Sequence, residues 1–167
     1  MDGERVLVVF HSSSGNTQKV AQAIAEPLSA DIEQIRAVNP RRVDIKGKGL
    51  GNFLNMGRAV FAAITGRATP IEQAQYEPAG YSLVVVGTPV YAGCVPGPVR
   101  AYLDQHRSKL KEVAFFCTGE DPNNVRVFEQ MEEVCGRAPK AVFAFHAPKV
   151  RANEFLPQVE EFIASMA

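Results

Sequence analysis

Cysteine is scarce in this sequence, and Cys94, Cys117 and Cys135 are odd in number with no C-x-x-C spacing among them. Neither a disulfide framework nor a zinc site is suggested, and a reducing, cytoplasmic setting is the expectation. Net charge is lacking as well. Eighteen basic residues balance 18 acidic ones, which argues against a protein that coats nucleic acid. Long apolar runs are missing too: Met1-Asp2-Gly3-Glu4-Arg5 leads into only five apolar residues, too few for a signal peptide or a membrane span. No repeat or low-complexity tract marks a linker, so residues 1–167 are expected to form one domain. His11, His106 and His146 stand at no catalytic or metal-binding spacing; His11, at the end of an apolar run, is expected to make a strand-end hydrogen bond.

What is present is an alternation. Val6–Phe10 is short, apolar and β-rich, as a buried strand should be. Val20, Ala21, Ile24, Ala25 and Leu28 then fall three and four apart, as on one face of a helix. Residues 30–35 include Asp31, Glu33 and Gln34 and suit an edge strand. Residues 81–86 and 113–117 are nearly continuous apolar runs, which predicts burial on both faces, and residues 141–145 supply a fifth strand. Helical spacing recurs at Val99, Tyr102 and Leu103, at Val125, Phe128, Met131 and Cys135, and at Phe155, Val159, Phe162, Ile163 and Met166. Between the second and third strands, Leu50, Phe53, Leu54, Gly57, Val60, Phe61 and Ile64 predict a crossover helix. Strands alternating with helices imply right-handed crossovers, hence an α/β doubly wound five-stranded parallel sheet with helices on both faces. With the second strand the most polar, the order 2-1-3-4-5 follows, and a ligand is expected at the switch point between strands one and three.

At that point lies His11-Ser12-Ser13-Ser14-Gly15-Asn16-Thr17, a strand-to-helix loop of hydroxyls and one glycine. The first N–H groups of a helix have no internal acceptors and carry the positive end of its dipole, so this place suits a phosphate. The simpler alternative is an ordinary helix start with Ser12 or Ser14 as the cap. Ser12-x-Ser14-Gly15-x-Thr17 resembles the (S/T)-x-(S/T)-G-x-T pattern with which flavodoxins hold the phosphate of FMN. The resemblance implies a flavodoxin-like fold and FMN as cofactor, with Ser12, Ser13, Ser14, Gly15, Asn16 and Thr17 around the phosphate.

The loop after strand three, Gly87 to Pro98, is rich in Gly and Pro. It resembles the G-(S/T)-P-x loop of flavodoxins and of FMN-dependent quinone reductases, which implies that Thr88, Pro89, Val90 and Tyr91 line the flavin ring and that the Ala92-Gly93 peptide lies near its N5. Tyr91 offers a flat face for stacking, and Gly93 permits the peptide to turn over and meet the protonated N5 of a one-electron-reduced flavin. Cys94-x5-Arg100 also matches the spacing of tyrosine phosphatases, but Pro96 and Pro98 remove N–H donors that such a loop needs; Arg100 is read as a surface residue early in a helix. After strand four, Thr118, Gly119 and Glu120 reach the same sheet end, and Glu120 and Asp121 could place negative charge near the ring. Asp121 and Pro122 suit a helix start. No aromatic occurs between Phe116 and Phe128, so a second stacking ring is not provided there. A Gly-Lys-Ser/Thr phosphate motif is absent, which excludes a nucleoside triphosphatase, and the first strand lacks the terminal acidic pair of a receiver domain.

Between Arg36 and Arg67, seven basic residues face Asp44 alone. This is a solvated surface or a docking face for an acidic redox protein or a pyridine nucleotide. The leading functional expectation is an FMN-binding electron carrier serving redox partner proteins that dock near the flavin edge or on Arg36–Arg67. The alternative is an FMN-dependent NAD(P)H:quinone-type oxidoreductase.

Overall fold

The computed structural model describes residues 5–38, 69–121 and 125–167. Five strands form one sheet: β1 (Val6–Phe10), β2 (Asp31–Gln34), β3 (Leu83–Pro89), β4 (Glu112–Gly119) and β5 (Val142–His146). Every pairing is parallel and the order is β2-β1-β3-β4-β5, the doubly wound order expected from the polarity of residues 30–35. Among the described residues the helices are α1 (Asn16–Leu28), α2 (Gly97–His106), α3 (Val125–Cys135), α4 (Ala147–Arg151) and α5 (Leu156–Ser165).

Alternation along the central strands divides the core. Val6, Val8 and Phe10 point to the face covered by α1 and α5, where Val20, Ile24, Val159 and Phe162 pack against them. Leu7 and Val9 point the other way, toward Val99, Tyr102 and Leu103 of α2 and Val127, Phe128 and Met131 of α3. A strand buried on both faces cannot alternate polar with apolar residues, which is why β1, β3 and β4 read as apolar runs. Burial of each such side chain stabilises the fold by roughly 1.5–3 kcal/mol. That margin lets a few strained residues persist at the sheet end.

Several boundaries differ from the expectations. β3 and β4 run beyond their apolar stretches, with Pro89 opposite Thr118 and Gly119 opposite His146, so Thr88, Pro89, Thr118 and Gly119 end strands instead of belonging to loops. Pairing on both sides of β4 carries the ladder past the point where hydrophobicity fades. Proline is tolerated at the last residue of β3, and Val90 N–H resumes the bonding to Thr118 O at 3.1 Å. In α3 the exposed Val125 is not on the buried stripe; Val127, fully buried, takes that place. The short α4 has too few residues to show a period. The expected crossover helix, its Gly57 and the basic residues 41–67 lie outside the described residues, as do Pro122, Asn123 and Asn124; Arg36, within them, is exposed. No helix among the described residues is long and apolar enough to cross a membrane.

Candidate functional site

The carboxyl ends of β1, β3 and β4 bring three chain segments together. The first is the turn into α1. Gly15 is its N-cap with φ +91, a left-handed value that glycine adopts without steric cost, and no side chain caps the helix. Instead the Ser12 hydroxyl accepts a bond from Gly15 N–H at 3.1 Å. The serines therefore do not serve as helix caps, contrary to the simpler alternative. Ser13 and Ser14 are exposed, and a Cβ placed on Gly15 would meet nothing within 4 Å. An uncapped helix of 13 residues thus opens onto free space lined by hydroxyls, an arrangement fitted to a phosphate.

Thr17 behaves differently from its neighbours. It is buried, and its hydroxyl pairs with that of Thr118 at 2.8 Å. One proton serves that bond, so the pair retains one further donor hydrogen. The bond ties the first turn of α1 to the end of β4. His11 adds a tie on the other side: its Nδ1–H donates to Ile35 O at 3.0 Å, and its backbone N–H to Gly87 O at 3.1 Å. The expected strand-end bond is therefore present, and burial pushes the His11 pKa down.

The second segment follows β3. Thr88 is fully buried and its hydroxyl donates to Pro89 O at 2.9 Å; it holds the strand end and is turned inward. Half-buried Val90 and Tyr91 come next. Tyr91 and Cys94 then close a two-residue hairpin, with N–H···O bonds of 3.2 and 2.9 Å in the two directions. Its central residues, Ala92 at φ +50 and Gly93 at φ +73, both lie in the left-handed region, which makes the hairpin a type I′ turn. The Tyr91 hydroxyl bonds the Ser13 hydroxyl and so joins the two segments, while desolvation raises the Tyr91 pKa.

Gln130 of α3 reaches this turn from beneath. Its Oε1 accepts from Val95 N–H at 3.1 Å and from Arg100 Nη2 at 2.6 Å, and its Nε2 donates to Gly93 O at 3.3 Å. Two donors on Oε1 fix which way the amide faces. Arg100 also donates from Nε to Val95 O at 3.2 Å. Arg100 is thus no free surface residue but half of a brace, and it cannot wrap a phosphate beside Cys94. Sequence reading missed Gln130. The available signal was a polar residue three positions after Val127, on the stripe that α3 buries.

Glu120 lies in the third segment, past Gly119. It accepts two bonds from the Arg151 guanidinium, at 2.7 and 3.3 Å, and that partner holds the exposed carboxyl below its ordinary range. The negative charge expected from Glu120 is therefore offset by Arg151 of α4, a residue that no spacing singled out. Cys117 is buried, with its thiol pushed up to about 12 by desolvation, and is no nucleophile.

Residues 5–147 match the family model of NADPH-dependent FMN reductases. The chain belongs to that family. Its fold is also that of solved flavoproteins. It is similar to a Lactobacillus acidophilus flavoprotein in complex with FMN, at 21% identity over 90% of this chain and 98% of that one, with a TM-score of 0.70. A flavoprotein structure from Bacteroides eggerthii shares 17% identity over 95% and 99% of the two chains, with a TM-score of 0.68. The Trp repressor binding protein of Bacillus subtilis shares 12% identity over 95% and 98%, with a TM-score of 0.57. No curated protein sequence matches this chain. Membership of a reductase family favours the oxidoreductase expectation over that of an electron carrier.

Proposed function

We propose that this reductase-family chain binds FMN at the β1/β3 switch point and oxidises a reduced nicotinamide nucleotide there, passing the electrons to a quinone-type acceptor. The observation that carries the proposal is the uncapped, glycine-opened start of α1 facing the Tyr91–Cys94 hairpin at the same sheet end. Ser12, Ser13, Ser14, Gly15, Asn16 and Thr17 would hold the phosphate. Val90, Tyr91, Ala92 and Gly93 would lie along the ring, supported from behind by Thr88, Pro89, Thr118 and Gly119, with the Glu120–Arg151 pair at the rim. The flavin, when bound, supplies the redox chemistry. The protein supplies position, and the dipole of α1 supplies charge stabilisation for the phosphate.

The assignment of one domain to residues 1–167 and the cytoplasmic setting belong to the same proposal. Purified protein mixed with FMN should turn yellow and bind with micromolar affinity or better. With FMN bound, NADPH should be consumed rapidly only when a quinone is present. A yellow protein that leaves NADPH untouched would instead support an electron carrier that docks on a redox protein. A protein that binds no FMN would refute both.

A further inference from the structure

A cavity of about 260 Å³ lies on the outer edge of β2, between that strand and residues 71–75. β1 stands between it and the β1/β3 switch point, so the cavity is separate from the site described above. Its shape follows from how residues 70–76 are fastened to the strand. At one end Glu72 N–H donates to Arg36 O at 2.8 Å and Val38 N–H to Pro70 O at 2.9 Å, an antiparallel bridge centred on Ala37 and Ile71. At the other end the Glu33 carboxylate reaches across and accepts from Gln75 N–H at 2.5 Å and from Tyr76 N–H at 3.2 Å. A side chain spans a wider gap than a backbone ladder does, so the two segments stand apart between these fastenings and leave a slot.

Two sets of polar groups border the slot. Ile35 N–H donates to Phe10 O, so Ile35 turns its backbone groups toward β1, while Gln34 and Arg36, one residue to either side, turn theirs outward. Arg36 O is taken by Glu72. The N–H and C=O of Gln34 project outward side by side, and no backbone bond from residues 71–75 meets either of them. The second set is Tyr102 of α2. Tyr102 is 1% exposed and lines the slot, and its hydroxyl has no hydrogen-bond partner among the described residues. His106 packs against the same ring, with centroids 4.6 Å apart, without bonding that hydroxyl. Buried hydroxyls are nearly always bonded, so this one calls for a partner from inside the slot. Ile35, Ile71 and Ala74 supply apolar walls.

We infer that the slot is a second ligand site, for a single-ring molecule whose edge carries an N–H beside a C=O, as a lactam or a primary carboxamide does. Size sets the first half of that description: a cavity of about 150 Å³ holds benzene, so one ring with a substituent fits here. The polar groups set the second half. An N–H and a C=O projecting side by side are answered by a C=O and an N–H on one edge of a planar amide, as a neighbouring strand would answer them. The ligand carbonyl keeps a second lone pair, which the Tyr102 hydroxyl can take.

The test titrates valerolactam, a one-ring lactam, into the full chain and follows backbone amide shifts by two-dimensional NMR, with and without saturating FMN. The Gln34 amide should move in both cases and saturate with a dissociation constant of roughly 0.1–1 mM, a range suited to so small a ligand. N-methylvalerolactam, which keeps the ring and the C=O but lacks the N–H, should bind roughly tenfold more weakly. Tyr102→Phe removes only the hydroxyl and leaves no orphaned partner behind, so melting temperature should hold while affinity for valerolactam falls roughly fivefold. Ala74→Leu, which fills the slot from the side of residues 71–75, should abolish saturation. Equal affinity for the two lactams, a Gln34 shift that never saturates, or an affinity untouched by both variants would each overturn the site.

Discussion

The two glycine-bearing turns at the sheet end are built on opposite plans. Gly15 opens a helix that no side chain caps, with exposed Ser13 and Ser14 beside it and free space where its Cβ would stand. Gly93 sits in a hairpin closed by backbone bonds on one side and by Gln130 and Arg100 on the other. Both residues have positive φ. The first turn keeps donors available, as a segment must when an anion is to complete its hydrogen bonding. The second has the Tyr91 and Cys94 backbone groups and Gly93 O bonded within the protein, which fixes the frame of the turn. In the proposed function, phosphate binding falls to the first loop and ring positioning to the second, each a few residues from one of two adjacent strands.

Breaking the open turn should have the largest effect. Gly15→Val places a β-branched residue at φ +91, where its branched Cβ is strained in any surroundings, and re-aims the donors at the start of α1. FMN affinity should fall roughly a hundredfold, the loss expected when one or two charge-assisted bonds to the phosphate go. Riboflavin, which lacks the phosphate, should lose less than about threefold by the same reasoning. Titrating both flavins by fluorescence quenching checks this, and equal losses would show that the turn holds something other than the phosphate.

The sheet order and both helix-covered faces could be read from the sequence, because hydrophobic periodicity reports burial and burial is what organises this fold. The open turn proposed to hold the phosphate was also legible as a feature, since hydroxyls and a glycine at a strand-to-helix junction carry their chemistry locally. The brace was not. Gln130 and Arg100 are 30 positions apart and meet only because α2 and α3 pack on the same face. The Thr17–Thr118 pair spans 101 positions, and the Glu120–Arg151 pair depends on a helix of five residues. Such contacts arise from tertiary packing and leave no period in the chain. Thr88 makes the same point: the burial of its hydroxyl in a bond to Pro89 O leaves no mark in the sequence.

An intermediate effect should come from the joint between the open turn and the sheet. Thr17→Val leaves the Thr118 hydroxyl buried without its partner, which should cost about 1–2 kcal/mol of stability. Thr118→Val should cost a similar amount. In the double variant both hydroxyls are gone, and most of the loss should be recovered. Urea unfolding of the four proteins gives the coupling directly. Recovered stability with FMN affinity still weakened would assign the pair's spare proton to the ligand, whereas recovery of both would make the pair purely structural.

The smallest effect concerns His11, which ties the open turn to Ile35 O. Its pKa lies below the ordinary value of 6.5 in the folded protein because burial disfavours the charged ring. The unfolded chain then binds more protons than the folded one as pH drops through 6.5, so stability is fully present above that value and declines as pH falls toward the folded pKa. His106, at the end of α2, is lowered for the same main reason and adds to the same decline. His11→Asn should remove only its own share, reducing the slope of melting temperature against pH below 6.5 while the His106 share persists. His106→Asn should act on the slope similarly yet leave FMN affinity alone, since His106 ends α2 far from the open turn. A pH slope unchanged by His11→Asn would show that the ring takes up its proton alike in the folded and unfolded chain and that the tie to Ile35 is indifferent to protonation.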